Sequence, residues 1–130
     1  MIVADSNILV YLLVPGDSTA DAERAYQRNS LWVAPPLWRS ELRNALALYL
    51  RLGRLSLAEA LTTAEKAEAI MLQHTYDVES SQVLTLATTS GCSAYDCEFV
   101  ALADALGVRL YTADEQILKA FQEVAFPLPA

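Results

Sequence analysis

The 130 residues are 54% hydrophobic and 19% charged, with only four glycines and five prolines. That composition excludes a disordered, collagen-like or disulfide-framework chain and predicts one packed domain spanning 1–130. Sixteen acidic against nine basic residues leave a net charge of −7, which argues against indiscriminate binding to nucleic acid or anionic membrane.

The charge is uneven: residues 1–56 carry a net +1 and residues 57–130 a net −8. Any anion-tolerant surface is therefore expected in the first half. No stretch approaches the roughly 20 apolar residues of a membrane span. The apolar run Ile8 to Val14 has no basic residue before it and follows Asp5, so it reads poorly as a secretion signal, and a cytoplasmic location is expected. Cys92 and Cys97 are then expected as reduced thiols, and the single histidine, His74, cannot complete a four-ligand zinc site with them.

In chain order, Ile2-Val3-Ala4 predicts a strand ending at Asp5, and Asn7 to Val14 a helix closed by Pro15-Gly16. Ser18 to Asp21 has the form of a capping box for a helix to about Asn29, and Leu31 to Ala34 predicts a second strand before two prolines. Apolar residues recur at helical spacing from Leu37 to Leu52, and a second capping box at Ser56 opens a helix to Leu72, giving an antiparallel hairpin. Helices are expected from Val78 to Ser90 and, capped by Ser93, from Ala94 to Leu106 before Gly107. Val108 to Tyr111 predicts a strand, Asp114 to Glu123 a helix, and Val124 to Phe126 a last edge strand. This alternation implies an α/β fold with a small, mostly parallel sheet, whose functional crevice lies beyond the carboxyl ends of its strands.

The four glycines are isolated, so neither a P-loop nor a dinucleotide-binding turn can be built. One histidine excludes paired-histidine catalysis, and no serine sits in a nucleophile elbow. What remains is carboxylates in unusual places. Asp5 follows the first strand, where its plain role is to cap the next helix; Ser6 or Asn7 beside it can take over that capping and leave the carboxylate for other work. Glu41 shares a helix face with Leu37, Asn44, Ala45 and Leu48, pointing away from Arg39 and Arg43. Asp96 lies on the stripe of Phe99, Val100 and Ala103, with Glu98 expected to face water. Asp114, preceded by Thr112, repeats after the later strand the placement of Asp5.

Converging carboxylates raise one another's pKa and call for a cation. Oxygen ligands without histidine or cysteine select Mg2+ or Mn2+, and such a site suits phosphodiester hydrolysis.

Four segments, taken together, resemble a known family. They are Val3-Ala4-Asp5-Ser6-Asn7-Ile8-Leu9-Val10, Glu41-Leu42-Arg43-Asn44-Ala45-Leu46, Ser93-Ala94-Tyr95-Asp96 with Val100-Ala101-Leu102-Ala103, and Tyr111-Thr112-Ala113-Asp114-Glu115-Gln116-Ile117-Leu118. In order and spacing they resemble the four motifs of PIN-domain ribonucleases, most closely the VapC-type toxins of type II toxin–antitoxin pairs. The resemblance implies a three-layer α/β/α sandwich that hydrolyses RNA with Mg2+ or Mn2+ held at Asp5, Glu41, Asp96 and Asp114. It further implies supporting or substrate-orienting roles for Asn7, Asn44 and Thr112, with Asp104 and Glu115 as adjacent acids of lower rank. A homodimer and a cognate antitoxin, whose carboxyl-terminal segment wraps the toxin, are implied as partners.

Trp32, Trp38 and Tyr95 are candidates for stacking on RNA bases. Arg39, Arg43, Arg51 and Arg54, flanking Glu41, are candidates for contact with RNA or antitoxin. A rival expectation is a PIN-like binding module without turnover. A DNA-directed flap nuclease is disfavoured, because 130 residues leave no room for DNA-threading helices.

Overall fold

Four short parallel strands form the centre of the computed structural model, which describes residues 1–129. β1 (Ile2–Ala4), β2 (Trp32–Val33), β3 (Leu110–Tyr111) and β4 (Ala125–Phe126) lie in the order β2-β1-β3-β4. Val3 aligns with Val33 on one side and Leu110 on the other, and Leu110 aligns in turn with Ala125. Strands β1 and β2 are buried along their whole length, which is why they read as continuous apolar runs rather than alternating ones. The chain leaves β1 for β2 on one side and returns to β3 on the other. The order thus reverses between β1 and β3, and the loops leaving these neighbours diverge to open a crevice at their carboxyl ends.

The helices are α1 (Ser6–Leu13), α2 (Thr19–Arg28), α3 (Leu37–Arg51), α4 (Leu57–Met71), α5 (Ser80–Ser90), α6 (Ala94–Leu106) and α7 (Glu115–Ala120). α6 packs on β1 and β3, α4 on β2, and α7 on β4. Trp32, Trp38, Phe99, Ile8, Leu9 and Leu42 are the largest side chains fully enclosed between these layers, each contributing about 1.5–3 kcal/mol of burial. The architecture is the expected α/β one. Among the described residues no helix is long and apolar enough to cross a membrane.

Local chemistry explains where prediction and structure agree. At α4 the Ser56 hydroxyl accepts from the Glu59 amide and the Glu59 carboxylate accepts from the Ser56 amide, the complete reciprocal cap. α6 begins where Ser93 accepts from the Asp96 amide and ends at Gly107, whose φ of +66° suits a residue without Cβ.

Elsewhere the structure corrects the expectation. Ser18 makes no side-chain cap for α2; instead the Thr19 hydroxyl donates to the Val14 carbonyl and accepts from the Gly16 amide, stapling the preceding turn. α5 starts at Ser80, after an extended Glu79. α7 is shorter than expected, and Asp114 lies outside it. Its end is set where the Phe121 carbonyl accepts from both Val124 and Ala125, bending the chain into β4.

After α4 a 3₁₀ turn, Leu72–His74, brings the His74 carbonyl to the Ala34 amide, extending the line of β2. His74 is thus tied to the fold through its backbone. Cys92 and Cys97 are free thiols packed with Val83 and Ala101, and burial pushes the Cys97 thiol up.

Candidate active site

Asp5 stands where β1 ends, at the order reversal, and it caps α1 itself. Its Oδ1 accepts from the Ser6 amide at 2.8 Å. Its Oδ2 accepts from the Thr112 hydroxyl at 2.7 Å and from Asn7 Nδ2 at 3.4 Å. This corrects the expectation that Ser6 or Asn7 would relieve Asp5 of capping. Burial pushes the Asp5 carboxyl above its ordinary value; the Thr112 and Ser6 bonds pull the other way, and the charges of Asp96 and Asp114 add to the rise.

Thr112 is fully buried behind Asp5, and its hydroxyl also accepts from the Asp114 amide at 3.0 Å. One threonine therefore ties the loop after β3 to the acid after β1. Asn7 adds a second tie, because its Oδ1 accepts from the Ala113 amide at 3.1 Å.

Glu41 faces the same crevice from α3. Its Oε1 accepts from the Ser6 hydroxyl at 2.7 Å, across the contact between α1 and α3. Ser6 is thus freed from capping and employed on the second acid, a role that sequence reasoning missed. The one available signal was its position beside Asp5. Burial pushes the Glu41 carboxyl up, Ser6 opposes, and Asp5, Asp96 and Glu98 reinforce the rise. Glu98 accordingly does not simply face water: it is half-buried, and burial raises its own carboxyl.

Asp96 lies in the first turn of α6, half-buried, and is pushed up by burial and then by Asp114, with the Ser93 hydroxyl opposing. Asp114 caps α7, accepting from the Ile117 amide at 3.0 Å. The four acids from four segments line one cleft of about 680 Å³. Asn7 and Asn44 line it too, with Leu37, Ala45 and Leu48 along the α3 wall, the face that 100° spacing predicts.

Several sequence candidates lie elsewhere. Asp104 and Glu115 are exposed and do not line the cleft. Trp32 and Trp38 are enclosed in the core and cannot meet a base, whereas Tyr95 stands exposed on the cleft rim. Arg39 is committed to Glu68 of α4 at 2.6 Å, so its role is to join α3 to α4. Arg43, Arg51 and Arg54 are exposed but do not line the cleft.

Among the described residues, no three acidic, histidine or cysteine side chains converge closely enough to cage a metal alone. The donor set fits Mg2+ or Mn2+ all the same. Such cations keep several waters and take only one or two carboxylates alongside substrate phosphate, and carboxylates that raise one another's pKa are what a cation relieves.

A small parallel α/β sheet with acids gathered at its order reversal places the chain in a recognisable class. The PIN domain model matches residues 2–126, and the chain belongs to the PIN-domain family. Ribonuclease VapC3 of Pyrobaculum aerophilum is 29% identical over 130 residues, covering 97% of this chain and 98% of that protein. Two crystal structures share the fold. PAE2754 from Pyrobaculum aerophilum superposes with a TM-score of 0.78 at 23% identity, covering 98% of this chain and 90% of that one. FitAcB from Neisseria gonorrhoeae gives 0.71 at 18% identity, covering 97% and 96%.

Proposed function

We propose that the protein is a metal-dependent ribonuclease, hydrolysing RNA phosphodiester bonds with Mg2+ or Mn2+, and the toxin of a toxin–antitoxin pair. The carrying observation is that Asp5, Glu41, Asp96 and Asp114 line a single cleft, three of them with raised carboxyls. Membership of the PIN-domain family and likeness to a protein named as a ribonuclease support the same reading.

The chemistry such an ion supplies is polarisation of a phosphoryl oxygen and activation of water. Asp5, Glu41, Asp96 and Asp114 would hold it together, one or two directly and the rest through its bound waters. Thr112 and the Ser6 amide fix the Asp5 carboxylate, and the Ser6 hydroxyl fixes one oxygen of Glu41, leaving the other oxygen directed elsewhere. We assign substrate orientation to Asn44, a reading that its exposed position on the cleft wall supports. The acidic cleft also suits a basic segment of an antitoxin, and exposed Arg43, Arg51 and Arg54 suit RNA or that same partner. A homodimer in the cytoplasm completes the proposal.

Purified, antitoxin-free protein incubated with total RNA in Mg2+ or Mn2+ tests it, beside Asp96→Asn and EDTA controls. Discrete cleavage requiring both metal and Asp96 is expected. Intact RNA in every lane with folded protein would return the chain to a binding module without turnover.

A further inference from the structure

The cleft lacks the groups that ordinarily grip a polyanion: no lysine, arginine or histidine lines it. Phosphate contacts usually dominate affinity for nucleic acid, and charge neutralisation at the four acids serves the scissile phosphate alone. Any phosphate contact from Arg43, Arg51 or Arg54 lies outside the cleft, so the nucleotides next to the cut need a further grip within it. What the cleft offers is aromatic surface. Tyr11 and Tyr49 line it half-buried, whereas Tyr95 is 63% exposed on the rim. Tyr95 precedes Asp96 in the first turn of α6, where the Ser93 cap holds the backbone. Its ring is therefore carried on the same rigid turn as one of the four acids.

We propose that Tyr95 is a stacking platform for the unpaired base beside the scissile phosphate, so that the nucleotide next to the cut is gripped within the cleft by its base face rather than by its phosphate. The proposal rests on the ribonuclease reading above. Within a duplex, both faces of a base are covered by its neighbours, and only a splayed-out base can stack on a protein ring. Stacking on one aromatic side chain is worth about 5- to 150-fold in affinity and tolerates any base.

The test is steady-state cleavage, in Mn2+, of a single-stranded oligonucleotide with a mapped cut site. Wild type, Tyr95→Phe and Tyr95→Ala are compared on the intact oligonucleotide and on versions abasic at either nucleotide flanking the cut. Tyr95→Ala is expected to raise KM about 5- to 150-fold with kcat retained, the mark of binding made equally in ground and transition states. Tyr95→Phe, which keeps the ring, stays near wild type. One abasic substrate costs wild type a similar factor and costs Tyr95→Ala nothing more. The slope of log KM against log salt is unchanged in Tyr95→Ala, since no phosphate contact is lost. Wild-type KM for Tyr95→Ala, or an equal further loss on both abasic substrates, overturns the proposal. So does a Tyr95→Ala protein that cleaves normally but no longer binds a basic antitoxin peptide. Failure of wild type itself to cleave overturns the ribonuclease reading instead.

Discussion

Ser6 shows how much one hydroxyl organises. Its bond to Glu41 Oε1 joins α1 to α3 and leaves the remaining oxygen of Glu41 a restricted direction. Groups that orient ligating side chains typically matter about 10- to 100-fold in metal affinity. Ser6→Ala is therefore expected to weaken Mn2+ binding by that factor, read by electron paramagnetic resonance titration, while Ser6→Thr restores most of it; an unchanged titration would show that Glu41 is held in some other way. Glu41 was legible in the sequence, because helical spacing puts it on the face of Leu37, Ala45 and Leu48. The role of Ser6 was not: a serine after an aspartate at a helix start reads as a cap, and its true partner lies 35 residues away.

At the scale of elements, both strand-end acids are also helix caps. Asp5 caps α1 and Asp114 caps α7, so strand, acid and helix recur as one unit on either side of the order reversal. Capping and the proposed catalysis can be separated at Asp114. Asn caps about as well as Asp, whereas Ala costs about 0.5–2 kcal/mol. In EDTA, Asp114→Asn should melt no lower than wild type and lose RNA cleavage, while Asp114→Ala should melt below Asp114→Asn and lose cleavage as well; a cleaving Asp114→Asn would remove Asp114 from the proposed metal set. The bounds of α6 were legible because Ser93 and Gly107 state them chemically. The end of α7 was not, because it depends on Phe121 turning the chain into β4, a pairing with β3 that local sequence does not announce.

For the whole molecule, the raised carboxyls of Asp5, Glu41 and Asp96 make stability depend on pH. A carboxyl raised by folding stabilises the native state below its unfolded value, and that stability is lost as pH rises through the folded value. Without metal, these three acids therefore weaken the fold between the ordinary carboxylate range and neutrality. In EDTA at pH 7, Asp96→Asn should melt above wild type, and the gap should close as pH falls towards 4. Saturating Mn2+ should reverse the order, since a ligand at 100 times its Kd adds about 2.7 kcal/mol to the protein that binds it. A lower Tm for Asp96→Asn in EDTA at pH 7 would mean that this carboxylate is not strained. The gathering of Asp5, Asp96 and Asp114 was legible as acids at predicted strand and helix ends, and the proposed cation follows from that gathering. The absence of basic residues from the cleft was not, because the arginines flank Glu41 in sequence while Arg39 turns to α4 and the others do not line the site.

The hydrogen bond between Asp5 and Thr112 spans 107 residues of sequence, joining the carboxyl ends of adjacent parallel strands. Neither strand can complete the site alone, so the acids cannot assemble on a nascent chain until β3 has been made. At about 5–20 residues per second, that separation is roughly 5–20 s of translation. If the protein is the ribonuclease proposed above, it is harmless to the RNA around it for most of its own synthesis, and that delay is time in which the proposed antitoxin can already be waiting.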